Sequence, residues 1–529
     1  MDKNEGRIGE RGARVLYSLG AGQVASVMIT MATFVIITRL LGPSDYGVYV
    51  FAFGFATLVD AVGNFGIGTF FSAKLAEYSY KNDAKGVMRT ISSGYSLLFP
   101  LSLGLTILAL AISLLLSGYL FRPLGISSTT LAIASLIIIF SVVASASYHA
   151  LVGLYKGGLA SASNILVDIV QLFASASLLL LGFGVNGALA GMVIGYAIGA
   201  TVSFLLVLRE AFSYGGIWPR MPTRGELRRT ARYFWPLSIN NFLNNGVLNF
   251  SILFLGYFIT KASLGNYGAA LKGVNLLVVA YGTMSTVLIS VFSTARSAKS
   301  RKSIPATYNK ILRYSLVITL PFIVYVGAFS KAGVFLLLSG RYAIAPLYLT
   351  LMAAGLAINL LGFYMSSLLA SGGRTLSILK YNLASAAFQF AFLLALVPFL
   401  GAMGGILALF FIGGIVEDIL FIRGARRVFG ITFEYKKIAM VFICNGILAI
   451  AVYPLLVYGG TVAQLILGAA LIAILYPPLL AVSGAISTAD MGTIYDSTSK
   501  LPAVSGLIKV FIGYTGIFIR NHHKGGAHG

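Results

Sequence analysis

The sequence predicts an all-α integral membrane protein with about 14 transmembrane helices, in two six-helix pseudo-symmetric lobes followed by a C-terminal helix pair. Its 529 residues are 58% hydrophobic and only 10% charged, whereas soluble domains carry about 25% charged residues. The mean hydropathy is +0.90, and apolar stretches long enough to cross a bilayer follow one another along the chain. The period-two alternation of barrel strands is absent, so the spans are predicted to be helices.

Fourteen apolar stretches form the predicted spans. They lie at residues 15–40, 47–70, 92–118, 128–154, 160–182, 185–208, 234–258, 267–294, 311–339, 344–370, 376–399, 402–424, 438–458 and 462–483. The charged start, residues 1–14, precedes a stretch too long for a signal-peptide core. We therefore expect the first helix to be retained.

Short matches between the two halves predict the lobes. Asp45-Tyr46-Gly47 is similar to Asn266-Tyr267-Gly268, and the same offset of 221 carries Pro100 onto Pro321. Six spans return the chain to its starting side, so the copies are parallel and suit a rocking transporter with a cavity between its lobes. The predicted parts are an N-terminal lobe at 1–208, a basic cytoplasmic linker at 209–233, a C-terminal lobe at 234–424, an extra transmembrane pair at 425–484 and a cytoplasmic or interfacial tail at 485–529.

The distribution of basic residues predicts the orientation. With the N-terminus in the cytoplasm, 32 of the 38 Lys and Arg residues fall in cytoplasmic segments and five in external ones. This follows the positive-inside rule, so we expect a multi-pass protein of the plasma membrane with both termini cytoplasmic. Topology then explains the net charge of +23, and no nucleic-acid partner is expected. Trp218 and Trp235 flank the linker as predicted interface anchors.

Ionisable residues at membrane depth are candidates for function, because each costs about 2.5–3.5 kcal/mol to place there. Lys272 is a candidate cationic site for a lipid-linked phosphate or diphosphate, and Arg39, predicted near the same membrane face, is a second candidate. The alternatives are an internal ion pair for Lys272 and an interfacial anchor for Arg39. Asp60 and Asp168 either exchange H⁺ or hold Na⁺, or are neutral acids hydrogen-bonded between helices. His149 is interpreted as a packing histidine, with a proton relay as the alternative.

Five asparagines share one side of predicted span seven. They are Asn240, Asn241, Asn244, Asn245 and Asn249. Amides in this number should not face lipid. They either line a hydrated cavity and bind sugar hydroxyls, or join helices by hydrogen bonds.

Several kinds of chemistry are missing from the sequence. It holds no Gly-x-x-x-x-Gly-Lys-Ser/Thr loop for ATP, and its single cysteine, Cys444, excludes a disulfide framework and a thiolate metal cluster. The predicted external loops are too short to house a catalytic site. We therefore expect no enzyme activity, no metal and no bound cofactor, with coupling to H⁺ or Na⁺ left open.

The segment Arg39–Tyr49, which reads RLLGPSDYGVY, is followed by Asn64–Gly68, NFGIG. Both segments resemble the start of the polysaccharide/oligosaccharide flippases (Wzx-like) of the multidrug/oligosaccharidyl-lipid/polysaccharide exporter superfamily. The resemblance extends over the fourteen-span layout. It implies transport of a polyprenyl-phosphate-linked oligosaccharide from the cytoplasmic to the outer leaflet by alternating access. Lys272 occupies a plausible position for the cationic cavity residues of these flippases.

The resemblance also implies a biological setting. The transport would serve the export of O-antigen, the synthesis of another cell-surface polysaccharide, or the synthesis of glycoproteins. The partners would be the lipid-linked oligosaccharide and membrane lipids, with glycan polymerase or glycosyltransferase complexes as further candidates. Lipid II flippases carry more arginines in the first lobe's helices than this chain, where only Arg39 qualifies, and this argues against a peptidoglycan precursor.

Two other functions stay open at this point. A cation-coupled multidrug exporter is favoured by Asp60 and Asp168, although the Arg39–Tyr49 segment argues against it. A membrane glycan polymerase or ligase is disfavoured by the short external loops.

Overall fold

The regular secondary structure in the computed structural model is helical, as the composition predicts. The structure describes residues 3–63, 66–116, 125–213, 222–297, 304–430, 433–458, 461–486 and 514. Its helices are α1 (Lys3–Gly63), α2 (Ile67–Tyr80), α3 (Ala84–Ala111), α4 (Ser128–Gly153), α5 (Gly157–Leu180), α6 (Gly184–Ser213), α7 (Arg224–Phe258), α8 (Lys261–Ser297), α9 (Ile304–Ala328), α10 (Ser330–Leu338), α11 (Ala345–Ser371), α12 (Thr375–Leu400), α13 (Ala402–Ile406), α14 (Gly413–Phe429), α15 (Tyr435–Ala451), α16 (Tyr453–Tyr458) and α17 (Thr461–Val482). A π-helical segment, Ile112–Leu116, extends α3, and a second, Leu407–Ile412, joins α13 to α14.

The chain is a multi-pass integral membrane protein. Eleven helices in the described residues are long and apolar enough to cross a membrane. One of these, Ser18–Gly63, contains two helices, because Gly42 has non-helical dihedral angles (φ 74, ψ 175) and Pro43 follows it. In α7 the stretch Gly246–Phe258 is apolar, and the side chains of much of the rest of the predicted span 234–258 lie outside the described residues. The total of 14 spans therefore stays a prediction.

Several helix boundaries lie close to the predicted ones, and others differ. Helix α17 covers nearly the same residues as the predicted span 462–483. The predicted span 311–339 is divided, since α9 ends at Ala328 and α10 begins at Ser330. Most of the predicted tail, residues 487–513 and 515–529, lies outside the described residues.

The predicted linker 209–233 is partly helical. Helix α6 ends at Ser213 and α7 begins at Arg224, while Trp218 lies outside the described residues. A capping box starts α7: the Thr223 hydroxyl accepts from the Glu226 backbone N–H (3.3 Å), and the Glu226 carboxylate accepts from the Thr223 N–H (2.8 Å). These two bonds satisfy backbone donors that the first turn of a helix leaves without partners.

Contacts divide the chain into two compact units. The first comprises Met1–Gly268 and Val397–Gly405, and the second Ala269–Leu396 and Ile406–Gly529. In the first unit α4, α5 and α6 pack on one another and on α1. In the second unit α11 packs on α14, and α9 packs on α11 and α15. The lobe boundaries predicted from the repeats stay a prediction.

Two glycines allow α1 and α8 to cross at very short range within the first unit. A methyl group on Gly47 would overlap the carbonyl oxygen of Lys261, and one on Gly265 would overlap that of Pro43. Neither glycine has a positive φ, so the requirement is for space and not for backbone conformation. Small residues at such crossings let helix backbones approach closely, as in other membrane proteins.

Candidate functional site

Asp168, on α5, is held by polar side chains of α1. Its carboxylate accepts hydrogen bonds from the Ser26 hydroxyl and from Thr30, one turn further along α1. Asn164, one turn before Asp168 on α5, donates from Nδ2 to the Ser26 Oγ at 3.1 Å. Asp168 is partly exposed and Asn164 is exposed. A carboxylate, two hydroxyls and a carboxamide form a set of oxygen ligands of the kind that hard cations prefer.

Asp60 joins α1 to α4 in the same unit. Its Oδ1 accepts from the Ser141 Oγ at 2.8 Å, and the side chain is partly exposed. The Ser141 hydroxyl also contacts the Ile138 carbonyl oxygen, 3.0 Å away on its own helix. Asp60 therefore has a polar partner from a neighbouring helix, as the hydrogen-bonded interpretation predicts, while its remaining oxygen is able to accept a proton or a cation.

Tyr196, on α6, connects the two carboxylates electrostatically. The Tyr196 phenol interacts with both Asp60 and Asp168, and it also interacts with Tyr49 on α1. The Tyr49 hydroxyl in turn lies 3.7 Å from the Met192 sulfur, one turn from Tyr196. Both predicted coupling residues therefore lie within electrostatic range of one tyrosine of the first unit.

Of the five predicted sugar-binding asparagines, only Asn249 has a described side chain. Its Oδ1 accepts from the Thr57 Oγ1 at 3.0 Å, one turn before Asp60 on α1. The backbone of the other four is helical within α7, and their side chains lie outside the described residues; they are Asn240, Asn241, Asn244 and Asn245. This contact joins α7 to α1. It places the Asn249 amide about one helical turn from Asp60.

The two predicted phosphate-binding residues lie in different units. Lys272 lies about three turns into α8, and its side chain is partly exposed between the buried residues Leu271 and Val274. Arg39 is exposed in α1, three residues before the break at Gly42. Their roles in substrate binding stay predictions.

His149 has the contacts of a packing residue. Its Nδ1 lies 3.3 Å from the Ser72 Oγ, and its ring lies against Gly68 of α2. A side chain at Gly68 would overlap this ring. The histidine therefore contributes to the contact between α2 and α4.

The second unit holds a carboxylate pair, Glu417 and Asp418, on α14. The Asp418 Oδ1 accepts from the Gly362 backbone N–H at 2.6 Å, and Asp418 is only 8% exposed. Glu417 accepts from the Asn359 Nδ2 at 3.5 Å. In the described residues no group of three His, Cys, Asp or Glu side chains has the arrangement of a metal site.

Most partners of the carboxylates carry no recognisable signal in the sequence. Ser26, Thr30, Ser141 and Tyr196 are common residue types in membrane helices, and nothing in their spacing distinguishes them. Asn164 had a usable signal, because it precedes Asp168 by four residues and so lies on the same helix face.

Comparison with known proteins connects this arrangement to a family. The family described as "Polysaccharide biosynthesis protein" matches residues 36–346, which is more than half of the chain. No curated protein sequence matches the chain.

Among solved structures, the chain is similar to "Lipid II flippase MurJ, inward closed conformation" (TM-score 0.70, 16% identity, 87% of this chain and 98% of that chain). It is also similar to "Inward-facing conformation of a multidrug resistance MATE family transporter of the MOP superfamily" (TM-score 0.62, 16% identity, 77% and 94%). The outward-facing conformation of a MATE transporter of that superfamily matches with a TM-score of 0.57, at 18% identity over 79% and 95%. Identities this low show a common fold alone. The predicted resemblance is confirmed: the chain has the fold of the MOP exporters and belongs to the polysaccharide biosynthesis protein family.

Proposed function

We propose that the protein is a flippase that moves a polyprenyl-phosphate-linked oligosaccharide from the cytoplasmic to the outer leaflet by alternating access. The observation that carries this proposal is the coincidence of the family match with a MurJ-like fold over 87% of the chain. Cell-surface polysaccharide synthesis requires movement of a lipid-linked glycan across a membrane, and one solved structure with this fold is named a lipid II flippase.

Within this function each candidate residue has a chemical role. Lys272 and Arg39 bind the phosphate region, because cationic side chains form strong charge-assisted hydrogen bonds with phosphate oxygens. The Asn240–Asn249 face of α7 binds hydroxyls of the glycan through its amides. In this proposal the chain crosses the bilayer 14 times in two six-helix lobes and a C-terminal helix pair, with both termini in the cytoplasm.

Asp60 and Asp168 bind the coupling cation, H⁺ or Na⁺. Each carboxylate has a hydroxyl partner, and both lie within electrostatic range of Tyr196. Cation binding at either carboxylate therefore changes the electrostatic field at Tyr196. A glycan polymerase or glycosyltransferase complex would supply or consume the transported lipid.

The test is translocation in proteoliposomes that hold the host's lipid-linked oligosaccharides, scored by lectin access to the outer face. We expect protein-dependent movement that Lys272→Ala reduces and that Lys331→Ala, at an exposed lysine of α10, leaves unchanged. Asp168→Asn should abolish the response to a proton or Na⁺ gradient, whereas Asp45→Asn, at an exposed carboxylate of α1, should not. Movement that is absent under every gradient would contradict the proposal.

The second candidate is a cation-coupled multidrug exporter. The similarity to MATE transporters favours it, together with the paired carboxylates of the first unit. Efflux of cationic dyes that depends on Asp60 and Asp168, without any movement of lipid-linked glycan, would support this function over the flippase.

A further inference from the structure

The corner between α14 and α15 is strongly basic and is built around one arginine. It comprises the last turns of α14, with Arg423, Arg426 and Arg427, and residues 433–437, which lead into α15. All its described residues belong to the second unit. Arg426 and Arg427 lie where the helix presents the negative end of its dipole, which favours cations there but does not select among them.

Arg426 packs against two neighbouring aromatic rings, Phe433 and Tyr435, which together form the aromatic clamp. Its Cζ lies 5.3 Å from the centre of the Phe433 ring and 5.2 Å from that of Tyr435. The two ring centres lie 5.7 Å apart and the rings are tilted by 59°, so they form one angled aromatic surface against one side of the guanidinium. Arg426 itself remains exposed. The rings restrain the planar group while its N–H edges stay available to a ligand.

The aromatic clamp is anchored in the protein core. Phe433 lies edge-on to Tyr308 of α9, with ring centres 6.4 Å apart. Tyr308 is fully buried, and its hydroxyl donates to the Met365 sulfur at 2.9 Å. The position of Arg426 is therefore fixed by a chain of contacts and not by the flexible arginine side chain alone.

The corner carries more positive charge than its acidic residue can balance. Glu434 already pairs with Arg313 (3.3 Å) and with Lys437 (3.0 Å). Within the part of the chain that the structure describes, no carboxylate lies within 4.0 Å of the remaining four cations, Arg423, Arg426, Arg427 and Lys436. A clamped arginine with free N–H edges in such a field fits an anion with paired oxygens.

The location indicates which anion this is. Helix α15 runs from the corner into an apolar span, and Tyr435 at its start is 54% exposed, as is typical of residues at the membrane–water interface. The phosphates of bilayer lipids lie at this depth. The basic residues predict that the corner faces the cytoplasm, where anionic lipids attract polybasic segments.

We propose that the α14–α15 corner binds the headgroup phosphate of an anionic glycerophospholipid through Arg426, clamped by Phe433 and Tyr435. The lipid is a resident ligand and not the transported substrate, so the inference is independent of the proposed flippase activity. Two phosphate oxygens accept from the forked guanidinium, and the neighbouring cations add attraction without fixing the geometry.

The test uses variants that conserve the positive charge. The proposal requires the paired N–H donors of a guanidinium, which lysine lacks, and a positive charge alone does not satisfy it. Purified full-length protein in neutral detergent is titrated with short-chain phosphatidylglycerol, and phosphatidylcholine serves as the uncharged comparison. We expect Arg426→Lys to weaken phosphatidylglycerol binding about tenfold, as for the loss of one bidentate charge-assisted contact. Arg423→Lys, on the same helix but without an aromatic clamp, should stay within about twofold of the wild type.

Other outcomes would overturn the inference. Equal binding by Arg426→Lys and the wild type, or equal weakening by Arg423→Lys, would mean that only diffuse charge is recognised. If inorganic diphosphate binds and phosphatidylglycerol does not, the site takes a free phosphate compound and not a lipid.

A second variant tests the aromatic contact. Tyr435→Leu retains an apolar side chain at this exposed position, and it should weaken phosphatidylglycerol binding as Arg426→Lys does.

Discussion

The crossing of α1 and α8 predicts that Gly265→Ala destabilises the protein although alanine favours helices. An added methyl group at Gly265 would overlap the carbonyl oxygen of Pro43, a backbone atom that no side-chain rotation can move away. Carbon and oxygen need about 3.3–3.6 Å, so the helices must separate locally. Overpacking of this kind costs about 1–3 kcal/mol, which exceeds the gain of about 0.8–1.0 kcal/mol from replacing a helical glycine by alanine.

A matched control is available on α3. Gly104 is helical and exposed, and a methyl group there would meet nothing within 4 Å. Gly104→Ala should therefore raise the apparent melting temperature of the purified protein in detergent, whereas Gly265→Ala should lower it. Gly47→Ala should act like Gly265→Ala, because it opposes the carbonyl of Lys261.

A double variant tests whether Gly47 and Gly265 share one helix contact. Separating the helices once relieves both overlaps, so Gly47→Ala with Gly265→Ala should cost clearly less than the sum of the single changes. If Gly265→Ala raises the melting temperature as much as Gly104→Ala does, the close crossing is not a feature of the protein. Fully additive costs would mean that the two glycines do not share one contact.

Three further predictions concern charged groups. Asp168→Asn keeps an oxygen acceptor for its serine partner, so thermal stability should change by less than about 1 kcal/mol while gradient-driven transport is lost. Glu210→Ala removes the 2.7 Å pair with Lys156, whose side chain is 43% exposed, and unfolding should become easier by about 0.5–1 kcal/mol. Hydrogen bonds and ion pairs from Lys81 and Lys74 lower the pKa of Glu77 from 4.5 to about 2. Their small stabilisation is fully present above pH 4.5 and is lost as the pH falls towards 2, so wild type and Glu77→Gln should converge in melting temperature over that range, as a pH series would show.

The sequence determined the class of fold well, because hydropathy depends on local composition. The apolar stretch 462–483 became α17, and the Gly42-Pro43 pair separates the predicted first and second spans. The partners of the carboxylates could not be predicted in this way. Ser141 lies 81 residues from Asp60, and Ser26 lies 142 residues from Asp168. Such pairs depend on which helix faces pack together, and a single sequence carries little information about that choice.

The predicted site residues show which functional groups a single sequence does reveal. Asp60 and Asp168 were found because a carboxylate is rare and costly at membrane depth, so its presence alone is informative. Tyr196 was missed because tyrosines are frequent in this chain, with 28 in total. Only the fold brings Tyr196 into electrostatic reach of both carboxylates.

The π-helical segment Leu407–Ile412 determines the direction, around the helix axis, in which the side chains of α14 point. A wide turn of this kind accommodates one residue more than an α-helical turn. An ordinary helix rotates by about 100° per residue. Without the extra residue, Asp418 would point about a quarter-turn away from the Gly362 N–H, and the Gly413 carbonyl would lose its Ser385 contact. The number of residues in one short segment therefore decides which face of α14 is presented to α11.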